Sequence, residues 1–205
     1  MPKRKFNINN PNIEIPDNYK FICATDGSAK NNGPIEERYC GYGATIRDKD
    51  DVIANIYGKV PTHDITTGKT FCTPSNNRGE LYAVLSILEY INETDIDYDD
   101  NTNDKVVVII DCQIYLGILN NIKKRNISKN QNPDILKRIK EEIMKSEYNF
   151  KFIKITAHWF DTEPKKQLIY KYCDEINILA YQMNDKADEL SRIGSQLDHY
   201  DKIIG

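Results

Sequence analysis

The chain has 205 residues, of which 40% are hydrophobic and 29% charged, so its composition is that of a globular protein rather than a disordered one. Its apolar runs fall short of the roughly 20 residues of a bilayer-spanning helix, and polar sequence stands where a secretory signal would have its apolar core. We therefore expect an intracellular protein, cytoplasmic or nuclear, that is not secreted and has no membrane partner. The net charge of −3 does not indicate a polyanion-binding protein, so any affinity for nucleic acid has to come from local basic patches.

The first part of the chain predicts a polar extension followed by three strands. Residues 1–19 are polar, contain several prolines and lack periodicity, so we predict an extension ahead of a single domain that spans residues 20–205. Short apolar runs separated by polar turns then predict an antiparallel meander of strands at residues 21–25, 41–47 and 52–60.

The pattern changes at Arg78, where apolar residues begin to recur at three- and four-residue spacing and predict an amphipathic helix. The β-branched run 106–110 predicts a central strand that is covered on both faces, and Asp111 follows it at the end where open α/β sheets bind ligands. The remaining predicted elements are helices at 114–122 and 133–144, a strand at 150–156 and a final helix at about 184–193.

The order of these elements predicts the fold class, which is α/β with a mixed five-stranded sheet, three antiparallel strands then two parallel, and helices on both faces. A polar, Tyr-rich segment at about residues 159–182 separates the last strand from the last helix. We interpret this segment as an insertion that borders a substrate channel, because both of its ends adjoin candidate site residues.

Four acidic residues have distinctive local settings. They are Asp26 in Thr-Asp-Gly-Ser, Glu80 in Asn-Asn-Arg-Gly-Glu-Leu, Asp111 in Ile-Ile-Asp-Cys-Gln and Asp188 in Ala-Asp-Glu-Leu. Taken singly, each acid is also typical of a turn or of a helix N-terminus. Carboxylates that a fold gathers together repel one another and are costly to desolvate, so such a cluster is typical of a divalent-cation site. The four settings together predict a two-metal phosphodiesterase.

In this order the four settings resemble those of the ribonuclease H family, type 1, which also forms the terminal domain of retroviral reverse transcriptases, and the resemblance covers about residues 21–195. It implies the ribonuclease H-like fold and endonucleolytic hydrolysis of the RNA strand of RNA/DNA hybrids, which leaves 5′-phosphate and 3′-hydroxyl ends. It further implies that Asp26, Glu80, Asp111 and Asp188 bind two Mg²⁺ ions, with Mn²⁺ as a possible substitute. The expected partner is an RNA/DNA hybrid, bound by a monomer without an obligate protein partner.

The resemblance also assigns roles outside the carboxylates. His158 stands where the family carries a mobile histidine that shuttles protons or helps product to leave. Amides stand where the family contacts the minor groove, at Asn32, Asn76, Asn77 and Gln113. A side-chain amide can form hydrogen bonds with a 2′-hydroxyl group. As turn or cap residues, the same amides would have no such role.

Basic residues lie where some family members have a hybrid-binding protrusion, at Lys123, Lys124, Arg125 and Lys129, and a solvated loop explains them equally well. Asp185 competes with Asp188 as the fourth ligand, since the two acids are one helical turn apart, and the residues flanking Asp188 favour it.

Alternative functions differ in class. A proofreading-type exonuclease would have an acid at the position of Ser28, and an integrase would complete its acidic set with a glutamate, so both fit less well. A catalytically inactive module that binds RNA/DNA hybrids on the same fold stays open, as does a structural interaction protein that uses the Tyr-rich segment.

Overall fold

The computed structural model describes residues 12–30, 38–61, 73–94, 105–199 and 202–205, which form six strands and five helices. The strands are β1 (Tyr19–Lys30), β2 (Tyr39–Arg47), β3 (Val52–Lys59), β4 (Lys105–Ile110), β5 (Asn149–Lys154) and β6 (Ile203–Ile204). The helices are α1 (Asn76–Glu93), α2 (Gln113–Leu119), α3 (Pro133–Lys145), α4 (Glu163–Tyr172) and α5 (Glu175–Ser195). Within the described ranges, every helix is too short or too polar to cross a bilayer.

All six strands belong to one mixed sheet in the order β5-β4-β1-β2-β3-β6. Strands β1, β2 and β3 are antiparallel, whereas β4 runs parallel to β1 and β5 runs parallel to β4. The predicted mixed sheet is therefore confirmed, but the predicted number of five strands is one too few. The strand that was missed, β6, has two residues, which is too short for any alternation of apolar and polar residues to show.

Helices cover both faces of the sheet, and the apolar strand β4 shows why. Val106, Val108 and Ile110 belong to a core that α1, α2 and α3 complete. Val107 and Ile109 point to the opposite face and belong to a second core that α4 and α5 complete. A central strand buried on both sides has no solvent-facing position, which accounts for its unbroken run of β-branched residues.

Helix α5 lies unusually close to the sheet because glycines stand at the contact. A Cβ atom on Gly194 of α5 would lie 2.5 Å from the carbonyl oxygen of Gly58 in β3. Gly43 of β2 likewise faces the α5 backbone at Ser191 without room for a side chain. This contact sets the distance between α5 and the sheet, and thereby the position of the acids that α5 carries.

The outer edge of β5 is hydrogen-bonded by a side chain. The Asn120 amide, directly after α2, donates through Nδ2 to the Phe152 carbonyl at 3.0 Å, and the Phe152 N–H donates to Asn120 Oδ1 at 3.2 Å. A side-chain amide thus occupies the place that a neighbouring strand's peptide would take.

The segment between β5 and the last helix differs from its prediction. Much of residues 159–182 is helical, since it forms α4 and the start of α5, and the predicted start of the last helix near residue 184 is wrong. Asp174 caps α5 by accepting a hydrogen bond from the Asn177 N–H, and Ala180 and Tyr181 of its first turns are buried. Polar and tyrosine residues interleaved with these positions hid the helical period.

Part of the predicted N-terminal extension packs on the domain. Ile13 and Ile15 are partly buried against the second core, and the Ile13 N–H donates to Asn177 Oδ1 at 2.7 Å. Residues 1–11 lie outside the described part of the chain.

Candidate active site

Asp26 lies near the middle of the sheet, on β1, with its side chain 8% exposed. The hydroxyl group of Ser191 on α5 donates a hydrogen bond to Asp26 Oδ2 at 2.9 Å. Because β1 and β4 are parallel neighbours, Asp111, which follows β4, lies at the same end of the sheet as Asp26.

Glu80, in the first turns of α1, extends to the end of the sheet where Asp26 and Asp111 lie. Ser75 caps that helix by accepting a hydrogen bond from the Arg78 N–H at 3.2 Å, and Glu80 follows two residues later with 8% of its surface exposed. Ligand oxygens of Asp26, Glu80 and Asp111 all lie within 4.8 Å of one another. Three acids that are distant along the chain therefore form one cluster.

Burial and mutual repulsion raise the pKa values of this cluster. The pKa of Asp26 is raised from 3.8 to about 8, first by burial and then by the charge of Asp111, although the bond from Ser191 opposes the shift. The pKa of Glu80 is raised well above its usual value by burial and by the charges of Asp26 and Asp111. Without a positive charge, the cluster therefore retains protons that exposed carboxyl groups would release.

The donor atoms of the cluster fit a divalent cation. Glu80 Oε2 is buried, and no hydrogen-bond partner reaches it among the described residues. An unpaired buried carboxylate oxygen is costly, and a cation would satisfy it. The cluster offers carboxylate oxygen alone, which is the donor type that Mg²⁺ and Mn²⁺ prefer over softer ligands.

Asp188 lies beside the three-acid cluster rather than within it. It lines the same pocket as Asp26 and Asp111, its side chain is 27% exposed, and its charge contributes to raising the pKa of Asp26. The Arg192 guanidinium contacts Asp188 Oδ2 at 2.8 Å. Asp185 lines the pocket as well, and its pKa is raised by burial and by the charges of Asp188 and Asp161. Both acids of α5 thus lie at the pocket, and the charge of Asp188 is among the causes of the raised pKa of Asp26.

His158 lies on the loop between β5 and α4 and lines the pocket with the acids. Its side chain is 60% exposed, and its backbone has a left-handed φ of 64°. His158 Nδ1 lies 3.3 Å from Asp161 Oδ2.

The amides predicted to bind substrate lie at the starts of two helices. Asn76 and Asn77 are the first residues of α1, and Gln113 is the first residue of α2. Asn76 and Gln113 are exposed, whereas Asn77 is half-buried and accepts a hydrogen bond from Cys112 Sγ at 3.9 Å. Asn32 lies outside the described residues. The basic residues after α2 are exposed, at Lys123, Lys124, Arg125 and Lys129.

Sequence reasoning missed several residues that line the pocket. Asn184 precedes Asp188 by one helical turn and lies on the same face of α5, and Trp159, Phe160 and Tyr181 line the pocket together with the acids. The predicted final helix began at about Asn184, so helical spacing from Asp188 was the signal that could have identified this residue. The three aromatic residues carried no signal, since they fall in the segment interpreted as an insertion.

Comparison with known proteins gives a family profile and several structures. The sequence profile of the RNase H family matches residues 18–195. A search of the curated proteins found no match.

Among solved structures, RNase H1 of the halophilic archaeon Halobacterium salinarum is 13% identical with a TM-score of 0.51, and the match covers 85% of this chain and 96% of that one. LC11-RNase H1, isolated from compost and solved in complex with an RNA/DNA hybrid, is 18% identical with a TM-score of 0.56 over 86% and 96% of the two chains. The protease-reverse transcriptase of Prototype Foamy Virus is 18% identical with a TM-score of 0.62, over 93% of this chain and 23% of that longer chain. At these identities the structural likeness establishes a shared fold.

Proposed function

The chain belongs to the RNase H family, and on that premise we propose that it cleaves the RNA strand of RNA/DNA hybrids endonucleolytically, leaving 5′-phosphate and 3′-hydroxyl ends. The observation that carries this proposal is the meeting of Asp26, Glu80 and Asp111, whose ligand oxygens lie within 4.8 Å of one another. A relative of the same fold, LC11-RNase H1, has been solved with an RNA/DNA hybrid bound, which supports the choice of substrate.

Asp26, Glu80, Asp111 and Asp188 are the proposed ligands of two divalent cations, Mg²⁺ or Mn²⁺. Such ions would activate the attacking water and neutralise the charge that develops on the leaving oxygen. The protein's own contribution is to hold the carboxylates in place before substrate arrives. Asp26 is fixed by its strand and by Ser191, and Glu80 by the capped first turns of α1. Preorganised charge of this kind costs no rearrangement during the reaction.

His158 is the proposed proton carrier. It lines the pocket with Asp26 and Asp111, yet its side chain is 60% exposed, so one residue connects the acids with solvent. An imidazole group can accept and donate a proton near neutral pH, which suits a residue that assists the leaving group or product departure.

Recognition of RNA is assigned to the amides at the helix starts. Asn76 and Asn77 begin α1, the helix that carries Glu80. Gln113 begins α2, which starts two residues after Asp111. A side-chain amide can both donate to and accept from a ribose 2′-hydroxyl, the group that distinguishes RNA from DNA. The exposed basic residues after α2 can add sequence-independent contacts to phosphates.

The test is cleavage of a hybrid in which the RNA strand carries an end label. With Mg²⁺ we expect the wild type to cut the RNA strand of the hybrid but not a DNA duplex, and EDTA to stop cleavage. Asp111→Asn should lower the rate by at least about 10³-fold, because it removes a ligand charge. Asp51→Asn, which alters an exposed acid in the turn before β3, is the matched control and should retain the wild-type rate.

A protein that binds the hybrid and never cuts it with Mg²⁺ or Mn²⁺ would instead be the inactive binding module, and the proposal of an enzyme would be rejected.

A further inference from the structure

The loop of residues 157–161, here called the histidine loop, carries His158 in a conformation that few side chains adopt. Its φ of 64° is left-handed, a region that costs a non-glycine residue conformational energy. Such a conformation persists where surrounding contacts determine it. The contacts that hold His158 should therefore be found in the structure around the loop.

Two polar contacts reach His158, one from Asp161 at the end of the same loop and one from Lys165 in α4. Asp161 Oδ2 lies 3.3 Å from His158 Nδ1, and Lys165 Nζ donates a hydrogen bond to the His158 carbonyl oxygen at 2.9 Å. The Asp161 contact lies at the imidazole ring, and the Lys165 bond lies at the backbone. The side chains of His158 and Asp161 are 60% and 44% exposed, so their contact adds little to global stability.

Aromatic residues of the histidine loop pack against two helices. Trp159 is 7% exposed and packs edge-on against Tyr181 of α5, with ring centroids 6.2 Å apart. Phe160 packs edge-on against Tyr170 of α4 at 5.9 Å, and Lys166 lies over the Phe160 ring. These contacts fix both residues that follow His158.

We propose that Asp161 and Lys165 are positioning residues that hold His158 at the carboxylate pocket, and that α4 serves to keep the histidine loop in place. The proposal rests on the proposed function, in which His158 carries a proton. At 3.3 Å from Nδ1, the Asp161 carboxylate favours a proton on Nδ1, which leaves Nε2 as the nitrogen that exchanges a proton with the reaction. Asp161 acts on the reaction only through His158.

Kinetics on the labelled hybrid separate this role from a general structural one. Asp161→Asn should lower kcat about tenfold with KM within about twofold, because a displaced proton carrier slows the reaction without weakening binding. The double variant His158→Ala/Asp161→Asn should be no slower than His158→Ala alone, since Asp161 has nothing left to position. Glu163→Gln is the matched control, because Glu163 lies in the first turn of α4 and bonds Gln167 instead of His158.

Hydrogen exchange on the metal-free protein gives a readout that does not require activity. Amides of the histidine loop should exchange at least about tenfold faster in Asp161→Asn and in Lys165→Met than in the wild type or in Glu163→Gln, while the amides of β1 and β4 stay unchanged.

The proposal would be overturned if Asp161→Asn kept the wild-type kcat and the wild-type exchange rates of the histidine loop. It would also be overturned if the activity losses of the two single variants added in full in His158→Ala/Asp161→Asn. If the wild type does not cleave hybrids at all, the proposed function fails. Loop exchange then still decides whether Asp161 and Lys165 hold the loop.

Discussion

Replacement of Asp26 by asparagine should stabilise the metal-free protein at high pH. Asparagine keeps the size of the side chain and can accept the Ser191 hydrogen bond through Oδ1, so packing should change little. What it removes is a buried negative charge beside Glu80 and Asp111.

The pKa of Asp26 gives the size and the sign of the effect. It is raised from 3.8 to about 8, so the folded protein holds this proton more tightly than the unfolded chain does. The resulting contribution to the free energy of unfolding is fully present below about pH 4 and is lost as the pH rises through about 8. At about 1.4 kcal/mol per pKa unit, the full loss is on the order of 6 kcal/mol. Neighbouring acids titrate together with Asp26, so we expect Asp26→Asn to gain about 3 kcal/mol at about pH 9 and close to nothing at about pH 4.

Urea unfolding in EDTA across this pH range measures the effect, with Asp51→Asn as a control for the loss of one exposed acid. Stability of the wild type should fall with rising pH, and stability of Asp26→Asn should fall much less. Parallel curves for the two proteins would refute the reasoning, because they would show that Asp26 does not carry the proton.

Three further predictions concern the same architecture. At a concentration 100 times Kd, Mg²⁺ should stabilise the wild type by about 2.7 kcal/mol and so raise its Tm in a thermal melt. The Tm of Asp26→Asn should stay nearly unchanged, and equal Tm shifts in the two proteins would count against the site. Gly194→Ala should lower the free energy of unfolding in urea by at least about 2 kcal/mol, because its Cβ would meet Gly58. Gly117→Ala, whose Cβ would meet nothing within 4 Å, should cost nothing or stabilise by up to about 1 kcal/mol, and equal costs for the two variants would contradict the close contact. Asp188→Asn should reduce cleavage at least about 100-fold and Asp185→Asn less than tenfold, and the reverse order would make Asp185 the fourth ligand.

The fold was predictable where local patterns are long. The unbroken apolar run of β4 and the three- and four-residue spacing of α1 each predicted the correct element, and the predicted mixed sheet with helices on both faces is confirmed. The two-residue strand β6 was not predictable, because it forms only by pairing with β3. Helix α4 and the start of α5 were missed because tyrosines and lysines stand among their apolar residues, and such side chains can bury their stems while their polar ends reach solvent.

The candidate site, like the fold, was predictable from the sequence only in part. Glu80 and Asp111 stand close to a clear helix start and strand end, and Asp26 stands in a distinctive Thr-Asp-Gly-Ser setting inside β1. All three could therefore be identified in the sequence, and the structure brings them together. Their roles as metal ligands, and the role of Asp188, remain predictions. Asp161 had no motif, since its relation to His158 depends on the turn between β5 and α4 and not on spacing alone.

The amide of Asn120 has a consequence for how molecules of this protein meet one another. An outer strand with bare peptide groups invites a second molecule to continue the sheet, which is a common first step in aggregation. Asn120 already bonds the peptide groups of Phe152 at the centre of β5, so an incoming strand would have to displace it before it could pair. A single asparagine thereby helps to keep crowded copies of the chain from joining edge to edge.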